Sequence, residues 1–372
     1  MSPAQLEIQL IAIVVAVACA LPGVFLVLRR SAMMSDAISH AILFGIVVAF
    51  FLTQDLTSPF LILGAALTGV LTVALVEVLT KTNLVKEDAA IGLVFPVLFS
   101  VGVILVSRYA GNVHLDTDAV LLGELAFAPF DRFVVAGVDV GPRSLWSMGA
   151  VLLLNLGLIL IFFKEIKLST FDSGLAQAQG FAPGWIHYGL MTVVSITVVG
   201  AFDSVGSILV VALMIAPPAA AFLLTRRLEV MLLLAALIGA LSAVAGYGAA
   251  AVLDVSIAGS MATLCGVSFG AALLFAPGRG LVSLRLLRNE QKLDLGVRML
   301  VVHLSHHGTC GDGESDEDEC RRDHLTDHIN WSVPFAEKVV NAAVKRDLVK
   351  ERQSVLWLTD EGIDLARDAM TG

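Results

Sequence analysis

Charge is scarce in this chain. Only 15% of its 372 residues are Asp, Glu, Lys or Arg, where soluble domains carry about a quarter. With 57% hydrophobic residues and a mean hydropathy of +0.85, the composition excludes a soluble protein built around one core. Cysteine is sparse too: of four residues, Cys19 and Cys265 fall inside apolar runs, so no disulfide framework is legible. Cys19, in Ala18-Cys19-Ala20, reads as a small apolar helix residue and not as a lipid-attachment site. A positive leader is missing, since Glu7 and no Lys or Arg precede the first apolar run, which argues against a signal peptide. Neither Gly-x-x-x-x-Gly-Lys-Ser/Thr nor His-Glu-x-x-His occurs, which excludes a P-loop ATPase and a zinc protease of those types. The chain does not read as an enzyme.

Long apolar runs are abundant. Nine stretches, 8–28, 36–53, 59–80, 89–107, 144–163, 184–202, 204–225, 230–253 and 255–277, have about the length that a bilayer crossing needs. Their only ionisable residues, thiols and phenols aside, are Asp36, His40, Glu77 and His187. Basic residues follow every second stretch: Arg29 and Arg30, Lys81 and Lys86, Lys164 and Lys167, Arg226 and Arg227, then Arg279, Arg285, Arg288 and Lys292. The loops between hold only Arg108, Arg132 and Arg143. The positive-inside rule then sets the N-terminus outside and the C-terminal segment in the cytoplasm. An eight-helix arrangement with one re-entrant segment is the alternative to nine. The expected fold is an all-α polytopic membrane protein of eight or nine spans, residues 1–278, with an external loop at 108–143. A basic connector, 279–297, leads to a small C-terminal α/β domain, 298–372.

That last segment has its own pattern. Residues 297–304 read as helix, 308–319 as a Gly/Asp/Glu-rich loop and 325–343 as helix with a turn near Val333-Pro334. Residues 348–358 read as two short strands, and Thr359-Asp360-Glu361-Gly362 starts a last helix. The order resembles a winged-helix domain. From Arg298 onward, nine Lys and Arg stand against fifteen Asp and Glu, so no nucleic acid is expected as partner. Five of the eight histidines lie here. His303, His306, His307, Cys310, Cys320, His324 and His328 are candidate ligands for an intracellular metal sensor. A solvated acidic loop with incidental histidines fits the same residues, whose spacing matches no standard zinc module.

Asp36 and His40 stand one helical turn apart at the start of an apolar run. On one helix face, a carboxylate and an imidazole can share a divalent cation, and ionisable groups at membrane depth are read as functional by default. A helix-end cap beside an interfacial histidine fits the spacing equally well.

The run Gly23 to Arg29 followed by Asp36-Ala37-Ile38-Ser39-His40 resembles the metal-specific ABC permeases, the ABC-3 family of membrane subunits of manganese, zinc and iron importers. Lys86-Glu87-Asp88-Ala89-Ala90-Ile91-Gly92, His114 to Gly123, Ala201 to Gly206, Leu209 to Ala221 and Ile257-Ala258-Gly259-Ser260 are similar to further segments of that family, in the same order. The resemblance implies that Asp36 and His40 lie on the path of the metal. Transported Mn2+ or Zn2+, with Fe2+ behind, is then the cargo, and no cofactor is held permanently. Phe171-Asp172-Ser173-Gly174-Leu175-Ala176-Gln177-Ala178-Gln179-Gly180 resembles the short helix by which ABC importers couple to their ATPase, with Phe171, Asp172, Ala176 and Gly180 as its marked positions. The implied partners are an ABC ATPase subunit, an extracytoplasmic metal-binding protein, a second permease subunit and membrane lipid. His114, Asp116 and Asp118 in the external loop either collect cations, meet the binding protein or are simply solvated. Two readings stand beside the permease: a self-sufficient secondary carrier or channel with a metal-sensing domain, and a membrane-tethered transcription regulator.

Overall fold

The structure, a computed structural model, describes residues 2–54, 58, 60–109, 125–135, 138–306, 320–321, 325, 331–352 and 354–371. It divides into two compact units, Met1–Arg279 and Gly280–Gly372.

In the first unit, α1 (Pro3–Leu28), α2 (Met33–Thr53), α3 (Phe60–Lys81) and α4 (Glu87–Tyr109) precede a small hairpin, β1 (Arg132–Val135) and β2 (Val138–Pro142). After it come α5 (Arg143–Ile161), two short helices, α6 (Phe163–Phe171) and α7 (Ser173–Ala178), then α8 (Pro183–Val205), α9 (Ser207–Leu224), α10 (Leu228–Leu253) and α11 (Ile257–Phe275). Nine of these are long and apolar enough to cross a bilayer among the described residues, as the apolar runs predict. The chain is a multi-pass membrane protein. Helices suit the task because each satisfies its own backbone groups where no water can.

The most enclosed span is α1. Ile11, Val15, Cys19, Phe25 and Leu26 are fully buried in it, and α5, α8, α9 and α10 pack around it. Its Pro22 has no N–H to give the carbonyl of Ala18 four residues back. Asn155 of α5 supplies the missing donor, its Nδ2 lying 2.9 Å from Ala18 O and 3.0 Å from Thr197 Oγ1 of α8. Small residues let other helices close up, as in membrane bundles generally. Gly64 of α3 faces Gly45 of α2 so tightly that a methyl on Gly64 would lie 2.6 Å from the Gly45 carbonyl.

The second unit contains α12 (Leu281–His306), α13 (Val333–Lys345), the antiparallel hairpin β3 (Val349–Arg352) and β4 (Val355–Leu358), and α14 (Asp360–Thr371). The stretch read as a connector is therefore mostly the first half of a long helix. Val297, Leu300, Val301 and Leu304 of α12 form one core with Val339, Val340 and Ala343 of α13, Leu356 of β4 and Ala366 of α14. Arg321 adds a bridge to Val355 beside the hairpin. Thr359 Oγ1 accepts from the Gly362 N–H at 3.1 Å, capping α14 where the sequence predicts a helix start.

Candidate metal path

Helix α2 starts at Met33, with Ala32 at its cap and no side-chain capping bond. Asp36 therefore lies inside the first turn and is not the cap, and Ser35 bonds back to Ala32 O at 2.9 Å. Of the range 31–39, where a break or re-entrant segment would suit a deeper site, only Ser31 and Ala32 are non-helical; from Met33 onward the helix is continuous. Asp36 and His40 share one face: His40 Nε2 lies 3.4 Å from Asp36 Oδ1, and the two side chains keep 31% and 35% exposure. Two ligands at about 2.1 Å from one ion, set at a tetrahedral angle, stand about 3.4 Å apart. The spacing thus suits two ligands of one ion as well as the direct His40–Asp36 ion pair that the structure shows.

Phe95 and Phe99 of α4 flank the imidazole, with ring centroids 5.7 and 6.2 Å away. They fix the ring's plane from one side. The apolar run that contains them gave no sign of this role; only the i, i+4 repeat hinted at a shared face. No group of three or more His, Cys, Asp or Glu that could hold a metal occurs among the described residues.

One end of the unit is polar and knit together. Glu77 of α3 pairs with Lys81 at 3.4 Å and accepts a hydrogen bond from Tyr188 of α8. Lys167 of α6 pairs with Glu229 of α10 at 2.7 Å, and an Arg279 N–H donates to Phe222 O at 2.7 Å. Arg29, at the end of α1, reaches His187 and α6, and burial lowers its pKa from the ordinary value. Glu77 and His187 are thus held in structural pairs. At the other end, Arg132 of β1 donates to Glu7 of α1 at 2.9 Å and to Asp139 of β2 at 2.8 Å. The Gly141 N–H and then Arg132 hold the Asp139 carboxyl below its ordinary range, while Glu7 and Asp139 raise Arg132. The basic loops of the sequence gather at the first of these ends.

At that end α6 runs into α7. Asp172 caps α7, its Oδ1 accepting from the Leu175 N–H at 2.9 Å. Gly180 closes the helix in the left-handed region, φ 88°. Its N–H bonds Gln177 O at 3.0 Å, and the Phe181 N–H bonds Ala176 O at 3.0 Å, a Schellman end. Ala176 of α7 is fully buried. Phe171 and Leu175 remain 59% and 46% exposed.

His114, Asp116 and Asp118 lie outside the described residues, as do His307, Cys310, His324 and His328. His303 and His306 occupy the last turn of α12, and His306 Nδ1 donates to Val302 O at 3.1 Å. Cys320 is buried and disulfide-bonded, so its sulfur is already committed. Cys19 and Cys265 are free and buried in their helices. Gly266-Val267-Ser268-Phe269-Gly270 has the spacing of a hydrolase nucleophile elbow. Ser268 instead sits within α11 and donates to Cys265 O at 2.7 Å, so the strand-to-helix turn of that motif is absent.

The profile of the ABC 3 transport family matches residues 4–276. The chain belongs to this family. It is 52% identical over 362 residues to the zinc transport system membrane protein TroD of Treponema pallidum, covering 97% of this chain and 98% of that relative. That likeness runs through both units. It is 51% identical over 274 residues to the manganese transport system membrane protein MntD of Bacillus subtilis, covering 74% of this chain and 92% of the relative. Among solved structures, PsaBC from Streptococcus pneumoniae in complex with Fab matches with a TM-score of 0.63 and 28% identity, over 77% of this chain and 96% of that one. As an ABC permease subunit the protein is not itself an enzyme; ATP is hydrolysed on a separate subunit.

Proposed function

We propose that this protein is the permease subunit of an ATP-driven importer of manganese or zinc, and that Asp36 and His40 hold the ion in transit. The observation that carries the assignment of the site is the 3.4 Å spacing of a carboxylate and an imidazole on one partly exposed face of a membrane helix. Relatives named for zinc and for manganese are almost equally similar, at 52% and 51% identity, so similarity does not choose between the metals. Imidazole and carboxylate accept both.

Two donors leave a coordination sphere unfinished. A second permease subunit presenting the same pair would supply two more, and water the rest. The basic end of the first unit faces the cytoplasm by the positive-inside rule. There α7, with Phe171, Asp172, Ala176 and Gly180, docks the ATPase, and the exposed Phe171 and Leu175 give it an apolar surface to grip. The opposite end, with the external loop that carries His114, Asp116 and Asp118, receives metal from an extracytoplasmic binding protein. ATP-driven closure of the partner then alternates access to Asp36 and His40.

The second unit sits in the cytoplasm on this reading. Its helices and hairpin support the reading as a winged-helix-like domain, and its acidity suits dimerisation or metal sensing better than DNA. His303, His306 and the neighbouring His307, Cys310, Cys320, His324 and His328 are the proposed sensing region, with Cys320 available only when its disulfide is reduced.

The test is metal-dependent growth and radiolabelled uptake in a host lacking its own importer, with manganese, zinc and iron supplied in turn. Asp36→Asn and His40→Ala should abolish uptake while both variants remain in the membrane. Wild-type uptake in both would overturn the assignment of the site.

A further inference from the structure

We propose that Arg29 is the positioning residue that transmits movement of the ATPase-docking segment to the Asp36–His40 pair. The inference rests on the permease reading above. Arg29 makes three hydrogen bonds to residues at least 140 positions away in the chain: Nε to Thr170 Oγ1 at 3.2 Å, one Nη to Ser169 Oγ at 3.2 Å and the other to His187 Nδ1 at 3.1 Å. A guanidinium can only donate, so His187 accepts through Nδ1 and carries its proton on Nε2. One side chain thus ties the end of α1 to the end of α6 and the start of α8.

The bonds on either side of this tie leave little slack. Toward the docking helix, Thr170 is followed by Phe171 and by Asp172, which caps α7. Toward the metal pair, Arg29 ends α1 in another Schellman turn, with the Arg30 N–H on Val27 O at 3.2 Å and the Ser31 N–H on Leu26 O at 3.0 Å. Arg30 takes the left-handed position, φ 62°, that glycine usually fills. The Met34 N–H then bonds Ser31 O at 3.0 Å, and α2 begins with Asp36 in its first turn. Only six residues, in a hydrogen-bonded turn, separate Arg29 from Asp36. A push on α7 therefore reaches α2 as a displacement of a rigid turn.

The tie is polar, not packed. Ile166 anchors the first part of α6 in an apolar cluster with Val24 and Phe25 of α1. Beyond it, Ser169 and Thr170 border an open cavity of about 360 Å3 that Arg29 and His187 also line. The far end of α6 is thus held by polar contacts, from Arg29 to Ser169 and Thr170 and from Lys167 to Glu229 of α10. A structural role alone would be served by more apolar contact. A polar latch beside a cavity can give and re-form.

The experiment uses the complete transporter, with its ATPase and binding protein, in proteoliposomes. Metal uptake and ATP hydrolysis are measured together, with and without metal-loaded binding protein. In Arg29→Gln the ions moved per ATP should fall about tenfold and metal stimulation of hydrolysis should vanish, a loss within the usual range of coupling between sites. Basal hydrolysis should stay at its wild-type rate. Arg29→Lys, which keeps a charge and one direct bond, should recover part of the ratio. Ser169→Ala/Thr170→Val, which leaves Arg29 in place, should lower the ratio in the same direction and add little in the Arg29→Gln background, which is the coupling test that a pathway requires. A wild-type ratio in Arg29→Gln, or uptake and hydrolysis falling in parallel, overturns the proposal. If Arg29→Gln does not assemble, a wild-type ratio in Ser169→Ala/Thr170→Val overturns it. Asp36→Asn serves as control: uptake by that variant would sink the permease-site reading itself, whatever Arg29 does.

Discussion

Replacing Asn155 by leucine should destabilise the membrane unit by about 1–3 kcal/mol, the sum expected for two interhelical hydrogen bonds in a bilayer. The value should fall toward the top of that range. Pro22 has already deprived Ala18 O of its helical donor, and the amide of Asn155, 2.9 Å away, replaces it. Without Asn155 that buried carbonyl has no donor where water cannot reach. The same reasoning predicts a rescue. Pro22→Ala restores an N–H at the position that Ala18 O needs, so Asn155→Leu should cost about 1 kcal/mol less in a Pro22→Ala background. Reversible unfolding of the full chain in mixed micelles, followed by tryptophan fluorescence, measures both. An equal cost for Asn155→Leu in the two backgrounds would refute the idea that the amide stands in for the missing backbone donor.

Three further outcomes follow from the geometry. Gly64→Ala puts a methyl 2.6 Å from Gly45 O and 2.7 Å from Ala49 Cβ; parting α2 from α3 should cost about 1–3 kcal/mol and weaken transport, read as a lower melting temperature together with slower uptake. Gly180→Ala should cost about 1 kcal/mol locally, because φ there is left-handed. It should loosen co-purification of the ATPase more than it lowers the melting temperature of the chain. In the second unit Arg346, 2.6 Å away, holds the Asp294 carboxyl below its ordinary range. A carboxyl depressed on folding stabilises above its unfolded value, about pH 3.9, and that stability disappears as pH falls through the lower folded value. The pair is 46% and 43% exposed, so the effect is well under about 1 kcal/mol. Protection factors of the β3 and β4 amides, corrected for the intrinsic exchange rate, should fall below about pH 4 in the wild type and show a weaker dependence in Asp294→Asn.

Much of the architecture was legible because a bilayer imposes length and composition on whatever crosses it. The nine spans, the alternation of basic loops, the hairpin at 349–358 and the cap at Thr359 all rest on local rules that the chain obeys. The Asp36–His40 pair was legible for the same reason, as i, i+4 spacing on a helix. What surrounds it was not. Phe95 and Phe99 look like any other apolar residues until α4 is laid against α2. Arg29 looks like one of several positive-inside residues, and its bonds to Ser169, Thr170 and His187 span 140 residues or more. Asn155 is an isolated amide in a charge-free run, and its purpose depends on a proline in another helix. Long-range partners of this kind carry no period or motif. The cap reading of Asp36 failed because the chain turns into α2 sooner, through the end of α1, than a side-chain cap would require.

The most direct measurement of the central claim is pulsed electron paramagnetic resonance of Mn2+ held by the assembled transporter. The account predicts nitrogen modulation from an imidazole on the bound ion, lost in His40→Ala, with Asp36→Asn sharply reducing the amount of ion retained. Nitrogen modulation that persists in His40→Ala, or full retention of the ion in the double variant, would contradict it.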